Sequence, residues 1–278
     1  MKKFTFIANR DEKLLKSLER NVDGASYSAF SAALRKKDVL VNGDRKKENV
    51  EVSAGDEIVV FLPDDAIWQL FSVFYEDENV LFVNKGKQIE VCDGEKNVAS
   101  ELNKAGKKVI PVHRIDRNTS GLVMFAKTQT AYEAFLSALK EGRIAKFYRA
   151  EVFGSPAKND GVFTDYMKKD AQKKLVYVSD KPLRGYEKTQ TRYSVVKKSG
   201  KTAVLLVQIS GGFTHQIRAC LAHHGMPIIG DGKYGNGEAN RSVGCRFQQL
   251  TATKLVFDFA ENSVLRYLND KKFELSDK

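Results

Sequence analysis

Three cysteines in 278 residues, at positions 92, 220 and 245, are too few and too widely spaced for a disulfide framework. They form no CxxC pair, so no zinc ribbon is suggested either, and reduced thiols are expected. No apolar stretch approaches the roughly 18 residues that span a bilayer. The first residues, MKKFTFIANRDEKLL, lack the apolar core and small-residue cleavage site of a signal peptide. The expectation is a cytoplasmic chain without a membrane span. A GxxxxGK[ST] loop is absent, which disfavours phosphate-loop NTPase chemistry. A metal-dependent nuclease needs several converging carboxylates, and only one is well marked here. No fixed-period repeat and no low-complexity tract is found.

What the chain has is charge and enough apolar residues for a sizeable core. Hydrophobic residues make up 42%, the net charge is +11 and the pI is near 9.4. Such a balance suggests an acidic partner, nucleic acid or an anionic surface. Residues 1–62 hold 12 Lys and Arg against 10 Asp and Glu, whereas residues 168–201 hold 11 against 3. In that second stretch the basic residues are interleaved with Tyr177, Tyr186 and Tyr193. It reads either as a solubilising hairpin or as a phosphate-tracking surface that adds affinity without sequence choice.

The pattern divides into a module at 1–62, a linker at 63–70 marked by Pro63-Asp64-Asp65, and a larger domain at 71–278. In the module, helical spacing runs from Asp11 to Glu19, and a second helix follows a Ser26 or Ser28 cap through Phe30, Ala33 and Leu34. Short strands are expected at Val39–Val41 and Glu57–Phe61, with turns at Asn42-Gly43 and at residues 54–56. Lys36, Lys37, Arg45, Lys46 and Lys47 flank the first of them. This order, with Val39 to Gly43 and Gly55-Asp56-Glu57-Ile58, resembles the αL RNA-binding module of ribosomal small-subunit protein four. The larger part has long apolar runs that read as strands: 79–84, 122–126, 144–153, 190–196, 203–209 and 254–259. Helices are expected at Thr130–Lys140, with Thr130 and Glu133 as a capping box, and at His215–His224 after a Thr214 cap. Too few strands alternate with helices for a doubly wound sheet, so the fold class is α+β with a mixed, largely antiparallel sheet. Gly230 to Gly235 fits GxGxxG but neither ends a strand nor opens a helical period, so it is not a dinucleotide loop. His223 and His224 read as helix-end residues, and Glu76-Asp77-Glu78 as a solvated turn.

Two segments carry the chemistry. His113-Arg114-Ile115-Asp116-Arg117-Asn118-Thr119-Ser120-Gly121 sets one carboxylate between two arginines and before a tight turn. Each guanidinium close to a carboxylate favours its charged form, so Asp116 is a poor proton donor and a candidate nucleophile or base. A hundred residues on, Gly212-Phe213-Thr214-His215-Gln216-Ile217-Arg218 opens a second segment that runs to Gly235. With Lys146-Phe147-Tyr148-Arg149-Ala150 between them, these segments resemble, in order and spacing, the three motifs of RluA-type pseudouridine synthases. The likeness covers residues 71 to about 260.

The resemblance implies an enzyme that detaches uracil from ribose, rotates it and rejoins it through carbon five, with no cofactor and no metal. It implies Asp116 as the catalytic carboxylate, attacking the substrate or abstracting a sugar proton. Arg218 pairs with Asp116, Tyr148 and Ile217 contact the flipped base, and Arg114 fills the gap left in the RNA. The partner is RNA, ribosomal in preference to transfer RNA. The competing reading is a non-catalytic RNA-binding or ribosome-assembly factor on the same fold. Departures from the family pattern are Phe213 for Arg, Cys220 for His, Gly86 for Pro and Thr251 for His.

Overall fold

The opening segment Lys2–Ile7 carries partly buried Phe4 and Phe6 between exposed residues and forms strand β1, which is not among the strands expected from the sequence. The computed structural model describes residues 1–278 apart from 23, 26, 67–69, 95, 96, 246, 277 and 278. Its chain divides into two compact units, Met1–Leu70 and Phe71–Lys278. Residues 63–70, read above as a linker, belong to the first unit, where Asp64–Ala66 makes a 3-10 turn.

In the first unit, β1 is followed by β2 (Glu12–Lys13), α1 (Leu14–Asn21), α2 (Tyr27–Arg35), β3 (Val39–Val41), β4 (Asp44–Lys46), β5 (Glu51–Val52) and β6 (Glu57–Leu62). Strands β1, β6, β3 and β4 form an antiparallel sheet in that order, and β2 pairs with β5. The β2–β5 ladder occupies Glu12 and Lys13, so α1 starts at Leu14 rather than Asp11 and extends to Asn21. Of the two serines offered as caps for α2, Ser26 lies outside the described residues and Ser28 is the second residue of the helix. Leu14, Leu18, Phe30 and Leu34 pack against Val39, Ile58, Val60 and Leu62 in a core of its own. Asn42 and Gly43 both have positive φ, 51° and 83°, the backbone of a tight two-residue hairpin.

In the second unit come β7 (Phe71–Glu76), β8 (Val80–Lys85), α3 (Val98–Lys104), β9 (Ile110–Pro111), β10 (Ser120–Ala126), α4 (Gln129–Lys140) and β11 (Ile144–Phe153). Then follow β12 (Asp160–Asp170), β13 (Leu175–Ser179), β14 (Glu187–Ser199), β15 (Thr202–Ile209), α5 (Gln216–His223), α6 (Gly237–Ser242), β16 (Leu250–Phe257) and β17 (Phe273–Glu274). The sheet runs β13-β12-β14-β15-β11-β16-β10-β8-β7, with β17 on β16 and β9 on β10. It is the mixed, largely antiparallel α+β architecture expected from the pattern. Among the described strands the parallel contact is between β10 and β16, through Ser120–Thr251 and Gly121–Ala252.

Helix α4 buries Ala131, Phe135 and Ala138, one stripe at helical spacing, against Phe82, Met124 and Phe257. Its cap is Thr128, whose hydroxyl accepts from Ala131 N at 3.1 Å. Thr130 lies inside the helix, because the chain leaves β10 early enough for the first turn to begin at Gln129. The supposed solvated turn at 76–78 is also corrected. Asp77 accepts hydrogen bonds from Tyr75, Tyr267 and the Asn79 and Val80 amides, and Glu76 pairs with Lys127 and Lys107.

Gly121 holds the parallel contact. It has φ +108°, and a Cβ there would meet Ala252 O at 2.0 Å and Ala252 N at 2.6 Å. Gly121→Ala is therefore expected to destabilise the chain by more than about 2 kcal/mol, measured as the shift in urea unfolding midpoint. An unchanged midpoint would mean that β10 and β16 do not touch there.

Candidate active site

The segment His113–Gly121 becomes a loop between β9 and β10 and the first two residues of β10, fixed from several sides. Thr119 N donates to Asp116 O at 2.9 Å, closing the turn, and Gln248 Nε2 donates to the buried Thr119 hydroxyl at 2.6 Å. Lys85, fully buried, donates to the carbonyls of Gly86, Ile89 and Arg117 at 2.8, 2.9 and 3.1 Å. Burial pulls its pKa down to about 7, against the attraction of Glu90 and Asp116. His113 is buried as well and pushed down to about 3 by burial, so its neutral ring accepts from Met124 N at 3.1 Å. It belongs to the scaffold.

The arginines that flank Asp116 in sequence do not hold it. Arg114 turns to Asp93 and Glu90, and Arg117 donates through Nε to Gln88 O at 3.2 Å. The guanidinium on Asp116 comes from α5, where Arg218 Nη1 donates to Asp116 Oδ2 at 2.7 Å across 102 residues. The rest of that guanidinium is engaged by Asp231, with Nε and Nη2 donating at 2.7 and 2.9 Å. Asp231 is 1% exposed and also accepts from Lys233 N and Tyr234 N. Burial would raise its pKa, but the Arg218 ion pair outweighs it and holds the carboxyl below its usual range. Burial works against the charged Arg218 too, and its two carboxylates overcome it and raise the pKa. Asp231 sits in the Gly230-to-Gly235 segment, which follows none of the described strands directly, although the short helix α6 opens at Gly237 where no helical period was expected. The segment's acidic residue was the signal that went unused.

Tyr148, on β11, Ile217 and Arg218, on α5, and Asp116 and Arg114, on the loop, line one pocket of about 190 Å³. Room for about six waters is the scale of one planar ring. Burial and the adjacent Asp116 charge raise the Tyr148 pKa, so the phenol is protonated. Lys146, two residues earlier on the same face of β11, reaches the pocket, and burial draws it down to about 8. His215 caps α5 with φ 53°, in place of the expected Thr214, and pairs through Nδ1 with Tyr234 at 2.8 Å. Its Nε2 stays 3.9 Å from Asp116 Oδ1, and burial lowers its pKa, so it is a neutral neighbour.

The sequence and the fold coincide with one family. A family model described as RNA pseudouridylate synthase matches residues 71–223. A Mycoplasma genitalium protein named as an uncharacterized RNA pseudouridine synthase is 31% identical over 270 residues, covering 85% of this chain and 82% of that one. The chain belongs to the RNA pseudouridylate synthase family. A Rickettsia bellii relative, named ribosomal large subunit pseudouridine synthase C, is 29% identical over 93% of this chain and 90% of its own. The solved human RNA pseudouridylate synthase domain containing 1 has a TM-score of 0.62 at 19% identity, over 74% of this chain and 83% of that one, which establishes the shared fold.

Within this family pattern the departures have structural places. Thr251 shares a 2.9 Å hydrogen bond with Ser120 of the first segment, and Gly86 O takes one of the Lys85 bonds. Cys220 is buried beneath α5 with Met167, Val176 and Ala219. Phe213 lines both the pocket and an adjoining groove that carries Lys188 and Arg192. Side chains able to ligate a metal gather elsewhere, where His223 and His224 meet Asp180 and Asp165 at the C-terminal end of α5.

Lys146 generates a pH prediction. Its folded pKa of about 8 lies below the ordinary 10.5, so between these values the unfolded chain binds more protons and stability rises with pH. Measured by urea unfolding, wild type should gain stability relative to Lys146→Met from about pH 8 upward and hold a constant difference below about pH 7. A difference constant to pH 10 would show that Lys146 is solvated.

Proposed function

We propose that the chain isomerises uridines of ribosomal RNA, using Asp116 as its catalytic carboxylate and no cofactor. The observation that carries this is the Arg218 guanidinium, fixed by Asp231 and presenting Nη1 to Asp116 Oδ2 at 2.7 Å on the wall of the ring-sized pocket. That ion pair orients the carboxylate on the pocket wall. The reaction breaks the bond from the ribose C1′ to N1 and forms one from C1′ to C5. The proton lost from C5 is balanced by one gained at N1, so no oxidant or group donor is needed. Asp116 either attacks C1′ or abstracts a sugar proton.

The target base must leave its stack to enter the pocket, at a cost of a few kcal/mol. Tyr148 and Ile217 offer the flipped ring a flat, buried contact. Arg114, half exposed and held by Asp93 and Glu90, is placed to occupy the gap it leaves. The basic strands β12–β14 supply phosphate contacts. The first unit, with Lys36, Lys37, Arg45, Lys46 and Lys47 around β3 and β4, acts as a second RNA-binding module. Large-subunit ribosomal RNA is favoured by the name of the Rickettsia relative, and the cytoplasm is the setting that such a substrate implies.

Asp116→Asn is expected to lower the single-turnover rate on ribosomal RNA by about four orders of magnitude or more while RNA affinity stays within a few-fold. Mapping new pseudouridines in total RNA from a strain lacking the protein identifies the substrate. Robust turnover by the variant removes Asp116 from its role, and modification confined to transfer RNA replaces the substrate.

A fragment beginning at Phe71 should turn over saturating RNA within about tenfold of the full chain, but bind it more weakly, because a second contact raises local concentration. Equal affinity would show that the first unit is not an RNA-binding module. A folded but inactive fragment would make it part of the catalytic structure.

A further inference from the structure

Helix α5 begins at the pocket and ends at a second cluster. Asp180 Oδ1, just beyond β13, lies 2.8 Å from His223 Nε2, and Asp165 Oδ1, on β12, lies 2.9 Å from His224 Nε2. One ligand atom from each of the four side chains lies within 4.8 Å of all the others. The carboxylates are 43 and 59 residues from their histidines in sequence. An adjacent histidine pair therefore carries no ligand spacing of its own.

Two His–Asp hydrogen bonds account for the imidazoles but not for Asp165. Its side chain is 1% exposed, and beyond the His224 bond its hydrogen-bonding neighbour is the buried Cys220 thiol, a weak donor. Among the described residues no lysine or arginine pairs with it; His224 is its ion-pairing neighbour. A buried carboxylate held only by an imidazole and a weak thiol donor is costly to keep, and the usual remedies are a paired cation or a metal.

We propose that Asp165, Asp180, His223 and His224 bind one divalent transition-metal ion of the zinc class. Two imidazole nitrogens with two carboxylate oxygens suit zinc or cobalt, whereas calcium and magnesium take oxygen ligands at higher coordination. Tetrahedral bonds of about 2.0 Å set the ligand atoms about 3.3 Å apart, so the two short His–Asp contacts must open by a few tenths of an ångström and the wider pairs, which lie within 4.8 Å, must close. The cluster is built for that. His224 is anchored by stacking on Phe163 at 3.8 Å, while Asp180 and His223 are exposed enough to move and to admit the ion. An ion held there would tie the basic β12–β13 hairpin to the helix that carries Ile217 and Arg218. On the reading of that hairpin as an RNA surface, the metal fixes the surface relative to the pocket.

The test uses the full chain, stripped by chelator and dialysed. Zinc titrated by calorimetry should bind at one equivalent with micromolar or tighter affinity and raise the unfolding temperature, since it binds only the folded form. Cobalt should give the visible absorption of a four-coordinate site. Asp180→Ala and His223→Ala alter exposed side chains, so both should fold and lose at least about tenfold in zinc affinity. No saturable binding by about 100 μM zinc overturns the site, because two imidazoles and two carboxylates on one ion bind far tighter. Unchanged affinity in both variants also overturns it, by placing the ion elsewhere, as at Cys92 or Cys245. None of these readouts depends on isomerisation, so the outcome is independent of the role given to Asp116.

Discussion

One guanidinium shared by two carboxylates holds the pocket together. Arg218 is nearly buried, and a buried cation is costly unless its donors are taken. Asp231 takes two of them in a side-on pair and is itself fixed by two backbone amides. The orientation of Arg218 is thus set before Asp116 is reached, and only Nη1 is left to meet it. Asp116 receives a charged partner without having to organise that partner. Preorganisation of this kind puts the energetic cost into folding, so that Asp116 meets a donor already oriented.

The sheet serves the same end. β11 sets Lys146 and Tyr148 on one face, and antiparallel pairing with β15 and β16 fixes their register. The loop that bears Asp116 is tied from below by the three carbonyls on Lys85 and from the side by Gln248 on Thr119. A buried ammonium is a stringent tie, because its three donors fix three carbonyls in space. Rigid elements thus surround a single movable group.

The sequence was most informative where chemistry is carried by long ordered motifs. Asp116, Tyr148, Ile217 and Arg218 stand in such motifs, and the fold brings them to one pocket. Strands of β-branched and aromatic residues were legible for the same reason that they pack. What failed was inference from nearness along the chain. Arg114 and Arg117 sit beside Asp116 in sequence, yet their side chains leave it for Asp93, Glu90 and the Gln88 carbonyl. Asp231, Lys85 and Gln248 escaped notice because their partners are set by tertiary packing, and no local period reports that. Helix ends shifted by a few residues wherever a competing contact, such as the β2–β5 ladder or the His215 turn, decided the first turn.

The parallel contact between β10 and β16 has a bearing on biogenesis. The loop that bears Asp116 is closed on its far side by Gln248, Thr251 and Ala252, more than a hundred residues after Asp116. Every family motif before residue 223 can leave the ribosome while the turn that holds Asp116 still lacks its supporting strand. A nascent chain therefore carries Asp116 through most of its synthesis on an unfinished loop. The loop is completed late, when β16 is laid down. Products that stop short of β16 would bear the motifs in full and yet lack the contacts that close the loop.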